Sequence, residues 1–285
     1  MPDDEFKITL RNDYAFKRVL GCEKNKTALQ DFLECVLSIP SGSITGLTLL
    51  NKELHKDIAS GKTGILDIKV KLKDGTLIDI EIQNVWLPGF TSRILFYWSK
   101  IFTQDFTAGD VYPKLPKCVI IVLTGKGFTL SDNIHSAYHI YEDDTNRLMT
   151  DVFEIHVLNL ERAKALSLCH HASTNEARLM RWLKFIETDS KEERTMLAEK
   201  SPVLKILNET IDVMALSPKE RALYESRMML KSDIATGLYE SFAQGKAEGA
   251  YNKALETAAA LKAMGLAKSK IAKATGLSLA EIEKL

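Results

Sequence analysis

The chain has 285 residues, enough to bury one sizeable core plus a smaller unit. Its 38 lysines and arginines balance 38 aspartates and glutamates, which excludes a global basic field as the means of holding nucleic acid and leaves only local patches. The opening MPDDEFKITLRNDYAF carries no apolar signal core and no apolar run reaches ~18 residues, so a cytoplasmic protein with no membrane partner is expected.

Residues 12–38 read as helical, with Tyr14, Phe16, Val19 and Leu20 opening an apolar stripe that Leu29, Phe32, Leu33, Val36 and Leu37 continue at spacings of three and four. Ile44 to Leu50 is a short first strand. Two longer strand-like runs follow, GILDIKVKL (64–72) and TLIDIEIQN (76–84), joined by Lys73-Asp74-Gly75. If Asp74-Gly75 alone turned the chain, apolar and charged side chains would share each face of the hairpin. A three-residue loop with Gly75 in the left-handed conformation corrects this by a slip of one residue. Asp67 then faces Glu81, Lys69 faces Asp79, and Leu66, Ile68, Val70 and Leu72 share a dry face with Ile78, Ile80 and Ile82.

After Pro88-Gly89 a helix is expected from about Thr91 to Thr107, with Leu95, Trp98, Ile101, Phe102 and Phe106 as its apolar face. Its other stripe is Arg93, Tyr97, Lys100 and Gln104, at offsets of four, three and four. CVIIVLT (118–124) is too β-branched for a good helix and reads as a buried strand. The helix between two strands implies a right-handed crossover and a parallel pair, hence a mixed α/β sheet. VFEIHVLNL (152–160) reads as a further strand at an edge.

From about Leu160 the chain turns helical. Ser190 with Glu193, and Ser217-Pro218 with Glu220, are helix-starting capping patterns. Lys231 to Met264 is one long helical stretch with Gly237, Gly245 and Gly249 as weak points, and its composition suggests an exposed arm. Gly265 to Leu285 reads as a helix-turn-helix-like tail whose Lys262, Lys268, Lys270 and Lys273 could touch phosphates without reading sequence. The organisation expected is a core over 1–165, a helical region over 166–240, and an arm with the tail over 241–285. Cys22, Cys35, Cys118 and Cys169 form no CxxC pair and are expected as buried reduced thiols. His135, His139, His170 and His171 lack a completing ligand at zinc spacing and are expected to be structural or on the surface.

Paired carboxylates on rigid strands, Asp67 and Glu81, are what a hard divalent cation requires. An ordinary solvent-facing strand pair with a Lys69–Asp79 salt bridge gives the same pattern, so the hairpin alone does not decide. Asn12-Asp13-Tyr14-Ala15-Phe16-Lys17, Gly64-Ile65-Leu66-Asp67-Ile68-Lys69, Ile80-Glu81-Ile82-Gln83, Arg93 through Tyr97, and Leu115-Pro116-Lys117 before a strand form an ordered set. In that set the chain resembles the Rpn family, the recombination-promoting nucleases or transposases of the PD-(D/E)XK superfamily, over roughly residues 10–165 and more loosely beyond.

The resemblance implies a restriction-endonuclease-like core, a mixed sheet flanked by helices, that hydrolyses DNA phosphodiesters with Mg²⁺ or Mn²⁺. It implies Asp67 and Glu81 as metal ligands with the Ile82 carbonyl as a third, and Asp13 as a further acidic site residue. Asp13 can equally be the N-cap of its helix. Gln83 stands where the broader superfamily has lysine; it can orient water but carries no charge, so Lys69 or Lys100 must supply the cation. Arg93 and Tyr97 are expected to bind phosphate oxygens. Cutting both strands with one site needs two copies, which points to a homodimer through the helical half. The rival is a catalytically silent nuclease-like fold serving as a nucleic-acid-binding or protein-interaction module.

Overall fold

A computed structural model of the chain describes residues 8–50, 68–165, 174–214 and 216–285. Asp67 with residues 51–66 before it, and Cys169, His170 and His171, lie outside them. Among the described residues six strands make one mixed sheet. They are β1 (Leu47–Leu49), β2 (Ile68–Leu72), β3 (Leu77–Val85), β4 (Cys118–Lys126), β5 (His135–Tyr141) and β6 (Leu148–Asn159), in the spatial order β1-β2-β3-β4-β6-β5. The first three are antiparallel, β4 and β6 run parallel to β3, and β5 closes the far edge antiparallel to β6. A helix, Phe90–Thr103, carries the chain from β3 to β4, as a parallel pair demands.

The hairpin has the register its apolar pattern requires. Ile68 lies opposite Ile80, Lys69 opposite Asp79 and Val70 opposite Ile78. The loop is three residues long: Leu72 and Thr76 are still bonded (2.9 Å), and Gly75 takes φ 93°. An Asp74 carboxylate oxygen accepts from Thr76 N at 2.9 Å and fixes the turn.

Each face of the sheet is covered, so β4 is apolar without alternation. On one face Ile68, Val70, Ile78, Ile80, Ile82, Val119, Ile121 and Leu123 join a core that includes Phe16, Phe32, Trp182 and Phe185. On the other, Leu77, Cys118, Ile120, Val122, Ile155 and Val157 pack against Phe90, Ile94 and Ile101 of the crossover helix. Leu95, expected on that helix's apolar face, is exposed, because Ile94 occupies the buried position one residue earlier.

The helix expected over 12–38 is broken. It is α1 (Asp13–Leu20) and α2 (Lys26–Val36), separated by Gly21 and a single 3-10 turn. The Asn25 side chain donates to the Val19 carbonyl at 2.8 Å and replaces the helical bonding there. The crossover helix is α3. The edge is β5, not β6, and the tract Tyr138 to Tyr141 pairs with β6 through register shifts.

The remaining helices are α4 (Leu160–Ala165), α5 (Asn175–Glu187), α6 (Lys191–Glu199), α7 (Pro202–Asp212), α8 (Pro218–Ala263), α9 (Lys268–Thr275) and α10 (Leu279–Lys284). Ser190 caps α6, Ser217 and Glu220 cap α8 reciprocally, and Ser278 with Glu281 forms a full capping box on α10. The chain divides into two compact units, Met1–Met228 and Met229–Leu285. Within the second, Ile271, Leu277 and Ile282 of the tail close on Ala258 of α8, and Gly276 makes the turn at φ 73°.

Candidate active site on the third strand and the crossover helix

Side chains alternate along β3, so Asp79, Glu81 and Gln83 share with Leu77 the face turned to α3. Charge on this face is deeply placed: Asp79 is 0% exposed, Lys69 5% and Glu81 8%. Charges so buried need partners. Lys69 Nζ donates to Gln104 Oε1, just past the end of α3, and lies opposite Asp79 across the hairpin. Burial draws the Lys69 pKa below the usual lysine range, and the negative charges of Asp79 and Asp105 act against that.

Gln83 is held at both ends of its amide. Its Nε2 donates to the Val85 carbonyl at 3.0 Å, and its Oε1 accepts from Arg93 Nη2 at 2.8 Å. The two bonds together fix which end of the amide is oxygen. The Arg93 guanidinium lies 4.3 Å above the Phe90 ring and 5.9 Å from the Tyr97 ring centre, so its flat face is sheltered. Arg93 Nε is buried and has no acceptor among the described residues.

Arg93 and Gln104 therefore pin the two ends of one stripe of α3 to the hairpin, Arg93 at Gln83 and Gln104 at Lys69. The helix runs antiparallel to β3 along its acidic face. Tyr97 and Lys100, both half-buried, occupy the helical positions between these anchors. The result is a polar seam within an interface otherwise made of Phe90, Ile94, Ile101, Ile120 and Val122.

The first helix reaches the same end of β3. Asn84 Nδ2 donates to the Arg11 carbonyl at 2.8 Å, which brings the start of α1 beside the strand segment that carries Gln83. The N-cap of α1 is Asn12, whose side chain accepts from Tyr14 N and Ala15 N, so Asp13 is not the cap. Asp13 lies in the first turn, 3.4 Å from Arg227 of α8. Gly125 on β4 permits the close strand approach here: a Cβ would fall 2.2 Å from the Asn84 carbonyl oxygen.

Of the residues expected at the site, Gln83 and Arg93 are bonded to each other, Tyr97 lies beside Arg93, and Lys69 and Glu81 are buried on the hairpin with the Ile82 backbone between Glu81 and Gln83, whereas Lys100 Nζ stands 5.9 Å from the exposed Phe96 ring. Asp13 stands at the neighbouring end of α1, and Asp67 lies outside the described residues. The bond between Arg93 and Gln83 and the role of Gln104 were not foreseen, although the four-three-four spacing of the stripe already contained both helix residues. A further polar cluster, on the opposite face of the sheet from α3, was also unforeseen. His135 Nε2 and His156 Nδ1 are 2.7 Å apart, His156 Nε2 is 2.6 Å from Glu154, and Lys117 Nζ is 2.5 Å from the other Glu154 oxygen. Among the described residues no group of His, Cys, Asp and Glu forms a ready metal cage.

A family model described as PD-(D/E)XK nuclease family transposase matches residues 10–241, which include every element of this seam. No curated protein and no solved structure matches the chain.

Proposed function

Since the chain belongs to the PD-(D/E)XK nuclease family transposases, we propose that it is a Mg²⁺- or Mn²⁺-dependent endodeoxyribonuclease, serving recombination or the movement of mobile elements, with its cutting centre on β3 and α3. The observation that carries this reading is the seam: a buried carboxylate on β3 followed, on the same face, by an amide bonded to a half-buried guanidinium of α3.

The donors suit a hard cation. Glu81 offers a carboxylate and Ile82 a backbone carbonyl, and Asp67, next in sequence to β2, would add the second carboxylate. When bound, such a cation lowers the pKa of an attacking water and offsets charge that builds on the phosphoryl oxygens. The chain's own residues do the rest. Arg93 is bonded to Gln83 itself, whereas Lys69 is committed to Gln104; we therefore assign to Arg93 the positive charge that the superfamily draws from lysine at position 83. With Nη2 holding Gln83, the guanidinium of half-buried Arg93 has further N–H groups to offer a phosphate oxygen. Gln83 is then a positioning residue that sets the guanidinium plane. Tyr97 and Lys100, next on the stripe, supply a hydroxyl and a second cation to the backbone of the same strand of DNA. One site cuts one strand, so scission of a duplex takes two copies.

Supercoiled plasmid incubated with Mg²⁺ and the parent chain, Asp67→Ala or Glu81→Ala tests the reading, with gel retention measured beside it. Nicking by the parent alone supports the enzyme. Equal retention by all three with no nicking supports instead a silent nucleic-acid-binding module.

A further inference from the structure

Phe96 of α3 puts an aromatic ring into solvent beside the seam. It is 43% exposed, whereas every other phenylalanine described in the first compact unit is buried or half-buried. At 3.6 residues per turn its side chain leaves the helix about 40° from that of Lys100 and about 60° from that of Arg93, so the ring borders the polar stripe. Lys100 Nζ stands 5.9 Å from the centre of the ring. The Tyr97 ring is its aromatic neighbour, 6.1 Å away and tilted by 52°.

The surroundings of the ring select its partner. From Ile82 to Gln104 the chain has no Asp or Glu, although these make up 38 of its 285 residues. The exposed positions of α3 within about 60° of Phe96 are Ser92, Ser99 and Thr103, all small and uncharged. A polyanion can lie along this side without repulsion, with Arg93 and Lys100 at its edge. A protein, including a second copy of this chain, is a poorer occupant. Leu95, the other exposed apolar group of α3, stands about 100° around the helix from Phe96, so the two do not make one patch. A lone ring falls far short of the ~800 Å² that a stable interface buries on each partner. Duplex DNA hides its base faces in the stack and is gripped through many phosphates at once, for which α3 brings two cations. An exposed ring strengthens binding where a base face is bare, as in a single strand or an unpaired segment.

We propose that Phe96 is a stacking platform for an unpaired base next to the phosphate assigned to Arg93, and that the chain thereby selects single-stranded or locally unpaired DNA over duplex. The inference rests on the reading of β3 and α3 as the place that holds DNA, and its test reads binding, so it is decided whether or not the DNA is cut.

Fluorescence anisotropy of labelled DNA with the full-length chain, in EDTA so that nothing is cut, tests it on a single strand, the matching duplex and a duplex with a central mismatched bubble. The parent should bind the single strand and the bubble about tenfold or more tightly than the duplex. Phe96→Ala should lose about tenfold on those two, the scale of one stacked base, and about nothing on the duplex. Its melting curve should match the parent's, because the ring is exposed. Phe96→Trp should bind the single strand as the parent does. Its emission should be quenched by that strand beyond the change shown by the parent's three tryptophans. A parent that binds neither form, a duplex held as tightly as the single strand, or a Phe96→Ala that binds the single strand like the parent would overturn the proposal. Plasmid nicking is scored apart: binding as expected without nicking contradicts the enzyme and upholds the stacking platform, and nicking without the Phe96 dependence does the reverse.

Discussion

At the scale of single residues, the decisive contact is Arg93 Nη2 to Gln83 Oε1. Arg93→Ala should leave the fold intact, costing about 1 kcal/mol for the lost bond, yet lower the rate of Mg²⁺-dependent plasmid nicking by ~10²-fold, the scale of a lost electrostatic donor. Arg93→Lys should recover only part of that rate, since an ammonium cannot hold Gln83 and a phosphate in one plane. Equal rates for Arg93→Ala and the parent would remove arginine from the mechanism. Lys69 behaves differently because it is buried between Asp79 and Gln104. Lys69→Met takes a cation away from a buried carboxylate and should cost about 3 kcal/mol in denaturant melts; a change within ~0.5 kcal/mol would mean that the carboxylate is satisfied without it. The common face of Glu81 and Gln83 was legible in the sequence, because a strand's period of two needs no tertiary information. The Arg93–Gln83 bond was not, because it depends on how α3 tilts across the sheet. Of the four cysteines expected as buried, Cys35 and Cys118 are, and burial raises both to about 12, so both stay protonated and unreactive, whereas Cys22 is only partly buried and Cys169 lies outside the described residues.

At the scale of elements, the β2–β3 register followed from apolar alternation and one glycine, since a slip of one residue would have turned every isoleucine to the wrong face. The break between α1 and α2 was hidden, because apolar spacing continues across it and only the Asn25 side chain ends the first helix. β5 was also hidden, its histidines and tyrosines giving no clean alternation. That strand carries a pH dependence. The His156 ring lies between Glu154 and the His135 ring, with one nitrogen bonded to each. Burial, and then repulsion from His156, hold the His135 pKa at about 4. Burial alone would raise Glu154, but bonds from His156 and Lys117 outweigh it and hold that group at about 2. The unfolded chain takes up its histidine proton near pH 6.5 and the folded chain only near 4, so stability should fall as pH drops between those values, by up to ~3 kcal/mol. Glu154 adds stability present in full above about pH 4.5 and lost as pH falls further towards 2. Denaturant melts at pH 7 and pH 4.5 check this: the parent should lose stability and His135→Phe should lose much less. A parent equally stable at both would contradict the lowered pKa of His135.

For the molecule as a whole, the order of elements was readable from where the apolar period changes, and the crossover helix made β3 and β4 parallel by handedness alone. The tail was readable as a shape through its capping box, but its lysines were not readable as partners. Lys262 donates to the Ile282 carbonyl and Lys268 pairs with Glu283, so half of the four lysines expected to meet phosphate close the tail on itself. The β3–α3 seam, by contrast, sets the guanidinium of Arg93 on the strand face that carries Glu81. The most direct measurement is the initial rate of Mg²⁺-dependent nicking of supercoiled plasmid by Glu81→Gln, an isosteric change that should keep the fold. The account predicts loss of nicking to background with an unchanged melting curve; nicking at the parent's rate would show that the seam between β3 and α3 is not where DNA is cut.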